Sequence, residues 1–296
     1  MIDFSNIRTI PIEERENKVT VADFRSPGDN FRRIDDPGID RLADMIAAAR
    51  IRKRPVVFMC GAHLIKVGMS LYIIDLIRKR VITHFATNGA GSIHDFEVAL
   101  IGETSEDVKT NLEDGSFGMA EETGRMMNQA IISGAEAGIG YGQAICDAVE
   151  ELPYKDKSIF YACRESSTRA TVHVAIGTDI IHQHPSCSGE ALGKTSYHDF
   201  RLLADTLSEI EGGVVVNVGS AVIMPEVFLK ALTIVRNLGY ESKGFTAANL
   251  DMKDMYRPRV NVVQRPTKDG ITVIGRHEDT IPSLYDSIMK RLSDPK

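Results

Sequence analysis

The stretch Thr83-His-Phe-Ala-Thr-Asn-Gly-Ala-Gly-Ser-Ile-His-Asp-Phe-Glu97 restricts the fold more than any other part of the chain. Ile82, His84 and Ala86 alternate with Val81, Thr83 and Phe85, which predicts a short buried strand over 81–87. Asn88, Gly89, Ala90 and Gly91 then remove most side-chain bulk where that strand ends. A ligand can approach such a backbone closely, with N–H groups turned towards it. The helix that follows is expected to be capped by Ser92 or Gly91. Asp95 is expected in its first turn, where the dipole favours negative charge. A strand, tight turn and helix of this kind is where open α/β sheets bind ligands.

The same pattern recurs along the chain. Pro55-Val-Val-Phe-Met-Cys60 is a near-continuous apolar run ending in Gly61-Ala-His63, as expected of a strand buried on both faces. Ala170–Gly177 reads as a strand ending at Thr178-Asp179, and Gly213–Ser220 as another. Two more are predicted over 242–248, ending in Thr246-Ala-Ala-Asn249, and over 258–264 between Pro258 and Pro266. Amphipathic helices are expected at 39–51, 70–80, 196–210, from Pro225 to Gly239, and at 281–292. Residues 103–153 break the alternation with acidic and glycine-rich helical stretches and no convincing strand. They read as a helical insertion, either a lid or scaffolding. Residues 1–36 read as an extended arm that packs on a neighbour, and residues 37–296 as a single domain. The fold class is α/β, a mainly parallel sheet of about six strands with helices on both faces. Five strand ends of small residues on one edge suggest a shared pocket for a flat or phosphate-bearing ligand such as a nucleotide. The G-x-G-x-x-G fingerprint is absent, because His94 stands where its third glycine would fall.

Composition narrows the partners. A formal net charge of −6 argues against a general nucleic-acid binder, and the Arg-Lys clusters at 50–54 and 78–80 read as solvated helix ends. Cys60, Cys146, Cys163 and Cys187 show no Cys-x-x-Cys spacing, so a disulfide framework or structural zinc is not expected. The N-terminus lacks the regions of a signal peptide, and no run approaches the ~18 apolar residues of a membrane span. A cytoplasmic protein is expected.

The wording of these segments resembles the deoxyhypusine synthase superfamily over roughly residues 55 to 290. Leu64-Ile-Lys-Val-Gly68, Leu76-Ile-Arg-Lys-Arg-Val-Ile82 and Thr87-Asn-Gly-Ala-Gly-Ser-Ile-His-Asp95 follow that family's layout. The resemblance implies a Rossmann-like sheet that binds NAD at its strand ends. The contacting positions would fall on His63, Leu64, Ile65, Lys66, Val67, Asn88, Gly89, Ala90, His94, Asp179, Ser220, Ala247 and Ala248. It also implies a homodimer or homotetramer and a small-molecule substrate.

The departures bear on function. The family's lysine, which holds an aminobutyl group as an imine, should lie in Val260-Asn-Val-Val-Gln-Arg-Pro266, where there is none. A guanidinium stays protonated and cannot replace it as a nucleophile. Acidic positions that would receive a polyamine fall on Ile93, His94, His184, Arg257 and Arg259. A neutral or anionic substrate is therefore expected, with His182, His184, Arg257 and Arg259 near it and no modification of a protein lysine. Among catalytic candidates, His94 beside Asp95 is a proton acceptor of near-neutral pKa. Lys66 is a Schiff-base amine if desolvated, and otherwise a phosphate partner or a surface charge. His182, His184, His173 and Asp179 offer an alternative metal-dependent hydrolase site. A catalytically silent nucleotide-binding protein is the third reading.

Overall fold

The computed structural model describes residues 2–293. Its strands are β1 (Asn17–Thr20), β2 (Val56–Cys60), β3 (His84–Asn88), β4 (Glu103–Glu106), β5 (Arg169–His173), β6 (Val214–Val218), β7 (Thr246–Asp251) and β8 (Asp269–Ile274). The helices, in order, are α1 (Pro37–Ile51), α2 (His63–Lys66), α3 (Ser70–Arg78), α4 (Gly89–Ile101), α5 (Val108–Asp114) and α6 (Glu121–Ala137). They continue as α7 (Tyr141–Ala148), α8 (Ile159–Glu165), α9 (Gly189–Ser208), α10 (Ile223–Asn237) and α11 (His277–Ser293).

Six strands form one parallel sheet in the order β5-β3-β2-β6-β7-β8. The apolar run of β2 explains its central place, because all five of its residues are buried. Val56, Phe58 and Cys60 face one core, with α1, α3 and α11. Val57 and Met59 face the other, with α9 and α10. The fold is thus α/β and Rossmann-like, with helices on both faces. Local chemistry sets the helix ends. Asp36 caps α1 by accepting from the Gly38 N–H, with Pro37 in the first turn. Gly102, in the left-handed region, ends α4.

Several expectations need correction. Residues 258–264 form a π-helix, not a strand; Pro258 starts it, and the Arg265 N–H donates to the Val260 carbonyl. The sixth strand is β8, whose alternating burial at the sheet edge lacks a long apolar run. β7 begins later than predicted and continues through Asn249. That residue looked like a turn, but inside the sheet its Oδ1 accepts from Asn217 Nδ2 at 2.8 Å. Ala247 and Ala248 therefore lie within the strand, paired with Val215 and Val216 and fully buried, rather than at its end.

The 103–153 segment contains a strand, β4, because β1 pairs antiparallel with it. Polar Glu103-Thr-Ser-Glu106 carries no strand pattern of its own. The N-terminal stretch consequently packs on its own chain: Ile10 bridges Ala120, and the Ile12 N–H donates to Glu122.

Candidate functional site

Sheet order locates the first half of the site. From β2 the chain runs outwards through β3 and β5, and from β6 it runs the other way through β7 and β8. The crevice beyond the ends of β2 and β6 is the topological switch point, where open α/β sheets bind ligands. Gly61 and Gly219 meet there. A Cβ on Gly61 would lie 2.6 Å from the Gly219 carbonyl oxygen, so only glycine permits the approach. Buried Ser220 accepts from the Met224 N–H through Oγ. His63 opens α2 beside His277, the ring centroids 5.6 Å apart. His277 is fully buried, and neither ring nitrogen has a partner. Burial pushes it down to about 4.

The second half lies at the end of β3. Asn88, not Ser92 or Gly91, caps α4 by accepting from the Gly91 N–H at 2.9 Å. Ser92 is buried and donates to the Gly89 carbonyl. Asp179 reaches across from the loop after β5, so close that a Cβ on Gly89 would sit 1.9 Å from its Oδ2. Burial raises Asp179 to about 6, opposed by a bond from the Ala90 N–H. Asp179 Oδ2 has no partner and lies 3.7 Å from His182 Nε2, which has none either. His182 Nδ1 accepts the Gly177 N–H at 3.1 Å, so Nε2 carries the proton. A buried donor thus faces a buried acceptor across a gap. One hydroxyl could accept from His182 and donate to Asp179.

An adjoining cavity of 180 Å³ is lined by Lys66, Ala90, His94, Asp179, Arg15 and Glu106, among others. His94 Nδ1 lies 2.7 Å from Thr104 Oγ1, which donates to Glu97 Oε2 at 2.6 Å. Nδ1 is therefore the donor and Nε2 the bare acceptor. His94 does not have the near-neutral pKa expected of it, because burial pushes it down to about 4. It is a neutral imidazole, suited to hydrogen bonding or to taking a proton transiently. Burial alone would raise Glu97, but the Arg15 guanidinium at 2.8 Å holds it below its ordinary value.

The remaining candidates separate. Asp95 is not in the first turn of α4 and does not face the cavity. It is buried and accepts from Ser158 Oγ and the Ile159 and Phe160 N–H groups, so it caps α8. Leu64 and Ile65 are fully buried in the core, and Val67 packs against it. Lys66 is exposed at the end of α2, so nothing desolvates its amine for Schiff-base chemistry. His184 faces Ser186 at 2.7 Å and Glu121 at 3.1 Å and latches its loop to α6. Among the described residues no three His, Cys, Asp or Glu side chains are placed to hold a metal ion. Arg257 and Arg259 are outside the cavity, each beside a carboxylate, Glu226 and Asp254 respectively.

Sequence reasoning passed over Arg15, Glu97 and His277. The one local signal was Glu97, a carboxylate between Phe96 and Val98 that demands a buried cation.

The sequence matches no family model and no curated protein. The fold is similar to that of AgrE, solved in a ternary complex with ornithine and NAD+. There the TM-score is 0.53 and the identity 13%, over 89% of this chain and 34% of AgrE. An LOR/SDH protein from Methanococcus maripaludis S2 gives 0.55 and 15%, over 90% of this chain and 74% of that one. An Entamoeba histolytica protein described as a deoxyhypusine synthase gives 0.50 and 9%, over 87% and 88%. The chain spans about a third of the length of AgrE. These likenesses show the fold alone, a Rossmann-like α/β sheet.

Proposed function

We propose that the chain is an NAD-dependent enzyme that oxidises an amine or an alcohol, or transfers a group after transient oxidation, and does not modify a protein lysine. The observation that carries this reading is the orphaned, buried Asp179 Oδ2, facing His182 Nε2 at the strand-end edge of the sheet. A sugar diol suits that donor–acceptor pair, whereas a phosphate would meet a carboxylate. Lys66, exposed beside the same cavity, is the cation available to a diphosphate. NAD bound here would supply a hydride acceptor. His94, neutral with Nε2 bare, would take the proton that an amine or alcohol releases. The missing lysine in 260–266 and the exposure of Lys66 both speak against an imine held by the protein. AgrE, with the same fold, was solved with NAD+.

Calorimetry with NAD on the natural chain and on Asp179→Asn tests the cofactor. The substitution should weaken binding about tenfold or more, the scale of one charge-assisted hydrogen bond. No binding at millimolar NAD would end the proposal. Binding without turnover of any amine or alcohol would favour the silent nucleotide-binding reading. On the same reading the protein is cytoplasmic, acts on a small molecule and forms a homodimer or homotetramer. A sedimentation mass equal to the 32.6 kDa of one chain would refute the oligomer. No helix among the described residues is long and apolar enough to cross a membrane.

A further inference from the structure

The opposite, N-terminal edge of the sheet carries an unexpected concentration of charge. Arg50, Lys53, Arg54, Arg80 and Arg169 line one cavity of 420 Å³, with Glu209 the single carboxylate on its wall. Arg169 pairs with Asp205 at 2.8 Å. The other four cations have no ion-pair partner among the described residues. This occurs in a chain whose net charge is −6. Five like charges sharing a cavity repel one another, and that cost disappears when an anion sits among them.

Helix dipoles do not account for the cluster. The C-termini of α1 and α3 favour cations at Arg50 and nearby. Arg54, however, stands just before β2, and Arg169 opens β5. Lys53 and Arg80 both have φ of 54°, the left-handed region in which glycine is the cheaper residue. Two separate turns thus keep a basic side chain at a backbone cost, and both line this cavity. The cavity also continues: Arg54 Cγ lies 3.7 Å from where a Cβ of Gly212 would be, and Gly212 borders a 920 Å³ cavity on the same edge.

We propose that this edge is a second binding site, separate from the dinucleotide site, for the phosphate chain of a compact polyanion. The guanidinium-rich lining matches phosphate oxygens, which take bidentate hydrogen bonds. No aromatic ring lines the 420 Å³ cavity, so nothing there stacks a base. The phosphates, not a nucleoside, are what it reads. The chain could come from inorganic triphosphate or from a nucleoside triphosphate.

Calorimetry on the full chain, with inorganic triphosphate and a nucleoside triphosphate titrated separately, tests this. Both should bind with one-to-one stoichiometry and similar affinity. Lys53→Gly with Arg80→Gly should weaken both about tenfold or more. Its Tm should stay at or above that of the natural chain, because glycine relieves the backbone. Arg54→Gln gives a second route to the same loss, and NAD affinity should not change in either variant. Three results would each overturn the proposal: no heat with millimolar triphosphate, binding that the variants leave intact, or binding of the nucleotide alone.

Discussion

Lowering the pH from 6 to 4 is expected to cost this protein about 5 kcal/mol of stability, by proton linkage. His84 and His173 are buried and pushed down to about 3, and His94 and His277 to about 4, in each case first by desolvation. An unfolded histidine titrates near ~6.5. Between those values the unfolded chain takes up as many as four protons that the folded chain refuses. A base with a depressed folded pKa contributes stability above its unfolded pKa and loses it as the pH falls. Asp95 and Asp179 act in the other direction. Burial raises both to about 6, so in this window the folded chain binds two protons that the unfolded chain does not. Over these six groups the balance is about two protons favouring the unfolded state, or ~3 kcal/mol per pH unit.

Denaturant midpoints at pH 6, 5 and 4 read this directly, and a flat profile would contradict it. His84 shows why these rings stay neutral. Nδ1 faces Thr206 Oγ1 at 2.7 Å and Nε2 faces Thr171 Oγ1 at 2.9 Å, both deep in the core and neither a carboxylate. Nothing there compensates an imidazolium.

Arg15→Met is expected to destabilise the protein by about 3–5 kcal/mol, the usual result of stranding a buried charge. Arg15 and Glu97 are 6% and 1% exposed, and their ion pair spans 2.8 Å. Without the guanidinium, Glu97 keeps only the hydroxyls of Thr104 and Thr123 and remains inside the protein. At two to four degrees per kcal/mol for a chain of this order, Tm should fall by roughly ten degrees. Replacing both partners, as Arg15→Met with Glu97→Leu, should recover part of the loss, because the Glu97 charge goes with the guanidinium while Glu106, 3.6 Å from Arg15, keeps its bonds from Asn111 and the Gly118 N–H. Equal damage from the double variant would mean that packing, not charge, dominates. A Tm within a degree of the natural chain for Arg15→Met alone would remove the pair from the account of stability. The double variant also deprives Thr104 of its acceptor, and with it the hydrogen-bond chain that sets the His94 tautomer. On the proposed function it should therefore lose activity even where it regains stability.

The sequence determined by itself what depends on short stretches of chain. Short β-branched apolar runs such as Val56–Cys60 and Val214-Val-Val216 read as strands buried on both faces, and the helical stripes between them imply a parallel sheet. The glycines at 61, 89 and 219 marked the edge where backbones approach closely. Tertiary structure alone decided the rest, because each remaining feature joins residues that are far apart in the chain. β4 is a strand only because β1 lies beside it, and Asn249 belongs inside β7 only because Asn217 satisfies it. Asp95 reads as a catalytic partner of His94 until Ser158 and its helix arrive to claim the carboxylate. Arg15, in what read as an extended arm, reaches the candidate site through Glu97, and cations from three helix-to-strand connections meet in one cavity. Periodicity reports which face of an element is buried. What a buried charge will meet there is set by long-range packing, and no local pattern encodes it.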